Sequence, residues 1–111
     1  MRRDVRPTDI IERTPMPAYV LCIREDAVRD PTELAIYSRM NREAPRDPKL
    51  TPLIAYGPTE ALEGNAPDGI VLLQFPTVED AKAWYNSPHY QAAIPHRKKG
   101  ADYRMMIVQG L

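Results

Sequence analysis

FPTVEDAKAWYNSPHYQAAIPHR, residues 75 to 97, decides the fold of this chain. Phe75 closes an apolar run, Ile70 to Phe75 (IVLLQF), that reads as a strand. Thr77 with Asp80 three residues on is the Ser/Thr-x-x-acid pattern that opens a helix, here carried through Trp84 and Tyr85. Asn86-Ser87-Pro88 breaks that helix, and Ser87 before Pro88 is placed to cap a second, short one that lasts until Gly100. Tyr103 to Val108 (YRMMIV) then reads as a closing strand.

Upstream, the same signals recur. Ala18 to Ile23 (AYVLCI) is an apolar run with the length of a strand. Asp30-Pro31-Thr32-Glu33 announces a helix: Asp30 caps, Pro31 suits the first helical position, and Glu33 sits where a capping-box acid reaches back. Leu34, Tyr37 and Met40, with Ile36 beside them, give that helix an apolar stripe, and Pro45 and Pro48 end it. Leu53 to Tyr56 reads as a shorter strand with Gly57-Pro58 as a turn or bulge; extension is expected to resume over Ala61-Leu62-Glu63 before the turn at Gly64-Asn65. Residues 1–16 are polar, hold Pro7 and Pro15, and read as an arm whose anchor is Ile10-Ile11. The expected architecture is one α+β domain over residues 17–111 with the βαββαβ order of a ferredoxin-like sandwich.

Patterning also predicts a partner. In AYVLCI and IVLLQF residues of both parities are apolar, whereas a strand with one wet face alternates. Helices cover one face of such a sheet, so a second copy of the chain is the simplest cover for the other, and a homodimer is expected. Fifteen basic and fifteen acidic residues cancel, so no global field draws the chain to nucleic acid or anionic lipid. The third strand lacks the exposed aromatics of RNA-binding sheets, and no apolar run approaches the roughly 20 residues that cross a bilayer. The charged N-terminal stretch has no signal-like apolar core, and the single cysteine, Cys22, fits a reducing compartment; the expected location is cytoplasmic. No CxxC, HExxH or glycine-rich phosphate loop occurs, so no cofactor or metal is expected.

The polar and aromatic residues crowded around the helix break read as a pocket wall. Trp84 and Tyr85 lie about 100° apart on a helix; Trp84 reads as core, and Tyr85, whose hydroxyl needs a partner, as the pocket candidate. Ser87 reads as a cap rather than a nucleophile, since no base-and-orienter pair accompanies it. His89 is the first choice for a general base because histidine titrates near neutrality. His96-Arg97-Lys98-Lys99 suits a helix C-terminus, with Arg97 the alternative candidate to hold a carboxylate or enolate oxygen. Arg104, inside an apolar strand, must be paired or sit at a cavity mouth. Cys22 reads as a small core residue.

Phe75-Pro76-Thr77 through Trp84-Tyr85-Asn86-Ser87-Pro88-His89-Tyr90-Gln91 to Arg97 resembles the DUF1330 family of small proteins in the dimeric α/β-barrel superfamily. Asp30-Pro31 with Tyr37, and the closing Val108-Gln109-Gly110, extend the resemblance to about residues 17–110. It departs from the family at Ala44 to Pro52, where relatives carry glycine-rich sequence near the barrel mouth, so a relative's ligand preference does not transfer. The resemblance implies no settled activity, but Tyr37 and Arg97 match family positions; with the residue readings above, the expected site has His89 and Arg97 acting chemically and Tyr37, Tyr85, Tyr90 and Arg104 binding ligand. Two readings follow: a cofactor-independent enzyme acting on a small carbonyl or aromatic compound, or a non-catalytic ligand-binding or accessory protein.

Overall fold

A computed structural model describes residues 16–111. Ile10-Ile11 and the rest of the expected arm up to residue 15 lie outside the described residues. The elements are β1 (Ala18–Arg24), α1 (Pro31–Glu43), β2 (Thr51–Ala55), β3 (Gly69–Phe75), α2 (Val78–Tyr85), α3 (Pro88–Gly100) and β4 (Tyr103–Gln109). The four strands form one antiparallel sheet in the order β2-β3-β1-β4. This is the ferredoxin-like α+β fold, with β1 and β3 at the centre.

The caps read from sequence set the helix starts. Asp30 Oδ1 accepts from the Thr32 and Glu33 amides, Thr77 Oγ1 from the Asp80 amide, and Ser87 Oγ from the Tyr90 amide. Glu33 departs from its expected capping-box role: its carboxylate turns to α3, where Oε2 lies 2.8 Å from His96 Nδ1. Ala44 ends α1 in extended backbone, as a residue before proline must. The second helix of the block is not short; α3 runs 13 residues, against eight for α2, and continues through Pro95. No strand forms over residues 61–63, and Leu62 is 92% exposed, so the expected resumption of chain extension there is corrected.

Register divides the sheet into two faces. Ala18, Val20 and Cys22 of β1 pair with Phe75, Leu73 and Val71 of β3 and with Gln109, Ile107 and Met105 of β4; this face meets the helices. Val20, Cys22, Phe75 and Ala81 form the buried core, with Trp84 and Ile107 packed against it. The other face carries Tyr19, Leu21 and Ile23, opposite Leu72, Ile70, Met106 and Val108, and no helix among the described residues covers it. At β2 a bulge separates Pro52 from Ile54, so Pro52 and Ala55, of opposite parity, both oppose helix-face residues of β3.

The helices are unequally seated. α2 lies on the sheet, whereas α1 packs along α3 and has no buried residue. The N-terminal end of α1 is fixed there by backbone bonds: Gly100 O accepts from the Arg29 and Asp30 amides at 2.7 and 3.0 Å. A Cβ on Gly100 would lie 2.5 Å from Leu34 Cγ and 3.1 Å from the Leu34 backbone nitrogen, so only glycine allows this approach. Gly100→Ala is therefore expected to cost about 1–3 kcal/mol in chemical denaturation through overpacking; a neutral or stabilising result would mean that the α1–α3 contact is looser than described.

Candidate functional site

Because α1 stands off the sheet, a cavity of about 840 Å³ opens between them. Its floor is the helix face of the sheet, including Cys22, Val71, Leu73 and Met105; its walls come from α1, α2 and α3. The segment after α1, Ala44 to Asp47 with Leu50, forms part of the rim. This is the stretch that departs from the family pattern. It is tied down by Lys49, whose Nζ donates to Asp80 Oδ1 at 3.0 Å. Lys49 and Thr77 together hold the Asp80 carboxyl below its ordinary range.

α3 supplies the centre of the site. Its buried residues Tyr90, Ala93, Ile94, Arg97 and Gly100 follow the helical period, so Tyr90 and Arg97 share one inward stripe, roughly 10 Å apart along the axis. The Tyr90 hydroxyl lies 2.7 Å from that of Tyr37 on α1, and it donates weakly to Met105 Sδ at 3.6 Å. Burial pushes both phenols up in pKa, so both stay protonated donors at neutral pH. The Tyr90 ring stacks on Trp84 at 4.2 Å between centroids, and Trp84 reaches Phe75 at 5.6 Å. Arg97 is 5% exposed, with its guanidinium carbon 5.7 Å from the Tyr103 ring centroid and its Nε without a hydrogen-bond partner.

At the β2 end the lining is a second cluster. Tyr56 holds a positive φ of 59°, uncommon for a bulky side chain. That conformation lays its ring over Gly69, where a Cβ would meet Tyr56 Cδ1 at 2.7 Å. The Tyr56 hydroxyl lies 2.7 Å from that of Tyr103, and Arg24, paired to Asp68 at 2.6 Å, sits over the Tyr56 ring. Burial also raises the Tyr56 phenol. The Tyr103 ring thus has two guanidiniums near it, Arg24 at 5.9 Å and Arg97 at 5.7 Å from its centroid.

Tyr37, His89, Tyr90 and Arg97 all line the cavity; His89 is exposed. Tyr85 does not line it; its ring packs behind, 5.7 Å from Tyr90 and 6.5 Å from Trp84. Arg104 is not brought to the cavity either: it pairs in register with Ile23 on the open sheet face and donates from Nε and Nη2 to Glu25 Oε1. Trp84, read as core, is both: it packs on the core and lines the cavity. Tyr56, Tyr103 and Met105 are not candidates from sequence. Their parity in β4, and the end of β2, point to them only when the register is known. His96 belongs to the α1–α3 contact through Glu33, not to the cavity. Cys22 lines the floor, and burial pushes its thiol up to about 11, which keeps it protonated and unreactive at neutral pH.

The fold and site define a ferredoxin-like domain with an aromatic cavity beneath a raised helix. The chain belongs to the DUF1330 family, described as "Domain of unknown function (DUF1330)", which matches residues 17–111. Among solved structures it is similar to the RPA0582 protein of unknown function from Rhodopseudomonas palustris, at 16% identity and a TM-score of 0.62, covering 97% of this chain and 95% of that one. The methylated form of RPA0582 gives 15% identity and the same TM-score of 0.62, covering 97% and 93%. These likenesses carry the fold alone. No curated protein matches the chain. Among the described residues no helix is long and apolar enough to cross a membrane.

Proposed function

We propose that the chain is a small-molecule-binding protein whose ligand lies in the cavity between α1 and the sheet, and that it pairs with a second copy through the open sheet face. The observation that carries the first part is the cavity itself. Its size is that of ordinary ligand sites, about 300–1,000 Å³, and its lining joins aromatic and aliphatic walls to a few convergent polar groups. Tyr37, Tyr90 and Arg97 are the proposed contacts, joined by Trp84 and Tyr103.

An enzymatic reading is secondary. In it His89, at the mouth, moves a proton on a small carbonyl or aromatic compound while Arg97 stabilises developing negative charge. Among the described residues no carboxylate is hydrogen-bonded to His89 to orient its ring, which favours binding over catalysis.

Trp84 is the chain's single tryptophan and lines the cavity, so its emission reports occupancy. The expected result is a small organic molecule retained in native mass spectrometry, or a change in Trp84 emission on titration with aromatic metabolites. Absence of both across a broad library would remove the binding reading. Turnover of a bound compound that is lost in His89→Ala, with affinity kept, would move the assignment to the enzyme.

A further inference from the structure

Among the described residues Arg97 is the one buried charged side chain, and it holds no carboxylate. Several other cations do: Arg24 has Asp68, Arg29 has Asp102, Lys49 has Asp80 and Arg104 has Glu25. A buried charge without a counter-charge is costly and is ordinarily paired. The Tyr103 ring face offsets only part of that cost, and Nε is left without an acceptor. The groups around the guanidinium cannot supply the missing charge. Cys22, Tyr37 and Tyr90 are all held protonated by burial.

The mouth repeats the imbalance. Arg42 and Arg46 line the cavity with Asp47 as the single acid, although the whole chain is neutral. Asp47 is itself turned to the Lys49 amide, 2.9 Å from its Oδ1. A cavity with cationic rim and base, and low-dielectric walls between, concentrates anions.

We propose that the cavity binds a small organic anion, a carboxylate carried on an aromatic or similarly flat apolar body, with the carboxylate against Arg97 and the body between Trp84, Tyr90 and the sheet floor. The guanidinium fork matches a carboxylate in two parallel bonds, and Arg97 lines the cavity. One buried cation balances one negative charge, so a monoanionic carboxylate fits the depth of the site better than a phosphate dianion. The Tyr37–Tyr90 hydroxyl pair adds protonated donors on the same wall. This inference rests on the cavity being a ligand site and adds the sign of the ligand's charge.

The test compares benzoate with benzamide, nearly equal in shape and different in charge, by amide chemical-shift titration and calorimetry on the full chain near pH 7. Benzoate is expected to bind at least about tenfold more tightly, since charge-assisted bonds are roughly twice as strong as neutral ones. In Arg97→Met that preference should disappear, with benzoate binding no more tightly than benzamide, and the unliganded melting temperature should hold or rise, because an apolar side chain replaces an unpaired charge. Arg97→Lys, which keeps the charge and loses the fork, should retain only part of the preference. Equal binding of the two probes by the wild type overturns the anion assignment and leaves the ligand site standing. A preference that survives in Arg97→Met overturns Arg97 as the anchor. Binding of neither probe at millimolar concentration counts against the ligand site itself.

Discussion

Phe75→Ala is expected to remove about 3–5 kcal/mol of unfolding free energy, as truncation of a buried aromatic does, and to lower the melting temperature by on the order of 20 °C. Phe75 is fully buried, and its neighbours explain why. Ala18, its partner in register on β1, and Ala81 on α2 are both 0% exposed and small enough to leave space for the ring. Trp84 closes that space at 5.6 Å between centroids. The two alanines cannot fill the vacancy, so most of the cavity term should be felt. Trp84 also lines the ligand cavity, so the loss of Phe75 should loosen the wall that holds it. If the alanine variant does not fold, Phe75→Leu gives the graded version at about 1–2 kcal/mol. Leu62→Ala, at a site 92% exposed, should fall within about 0.5 kcal/mol of wild type. Urea denaturation of the three variants checks the order; a Phe75→Ala cost below about 1 kcal/mol would mean that the core is centred elsewhere.

The elements that local chemistry dictates are legible in the sequence. Asp30, Thr77 and Ser87 each begin a helix because a side-chain oxygen takes an orphan amide, and that event needs only residues three apart. Arg97 is a candidate through the basic run and the family pattern, and in the structure the helical period puts it on one stripe with Tyr90, seven residues before it. The strands are harder to read. Arg104 and Tyr103 are adjacent in one apolar run, and which of them faces the cavity depends on register across β1, which no local pattern contains. The bulge beside Leu53 then breaks the period of two in β2 and turns Ala55 toward the cavity. Trp84 keeps its core role and also lines the cavity, and Tyr85 packs behind it, because helical spacing separates two directions without saying which points at space and which at protein. Above all, the cavity exists because α1 leans on Gly100 and not on the sheet. A close approach between residues far apart in sequence leaves a glycine as its only local trace.

Leu72→Glu is expected to convert a dimer into a folded monomer. Leu72 lies on the face without helices, between Leu21 of β1 and Ile54 of β2, and Met106 and Val108 extend the apolar surface across β4. Ile54 is 42% and Val108 48% exposed in the single chain, so this face has apolar area still to bury. Full burial of such side chains contributes about 1.5–3 kcal/mol each, against an association cost of about 4–15 kcal/mol; the two copies together supply enough side chains to exceed it. A carboxylate at the middle of that surface would be enclosed without a partner in both copies, a penalty of several kcal/mol that weakens association by roughly a thousandfold. In the monomer the same carboxylate faces water, and the cost is a strand-propensity term of at most about 1 kcal/mol. Light scattering at micromolar concentration should therefore show a dimer for the wild type and a monomer for the variant, with helix and strand content unchanged by circular dichroism. The cavity lies on the opposite side of the sheet and takes all its described lining from one chain. The monomeric variant should then keep its Trp84 response and its preference for benzoate. A wild-type chain that is already a stable monomer removes the homodimer. A variant that loses ligand binding together with pairing would instead mean that the second copy completes the site.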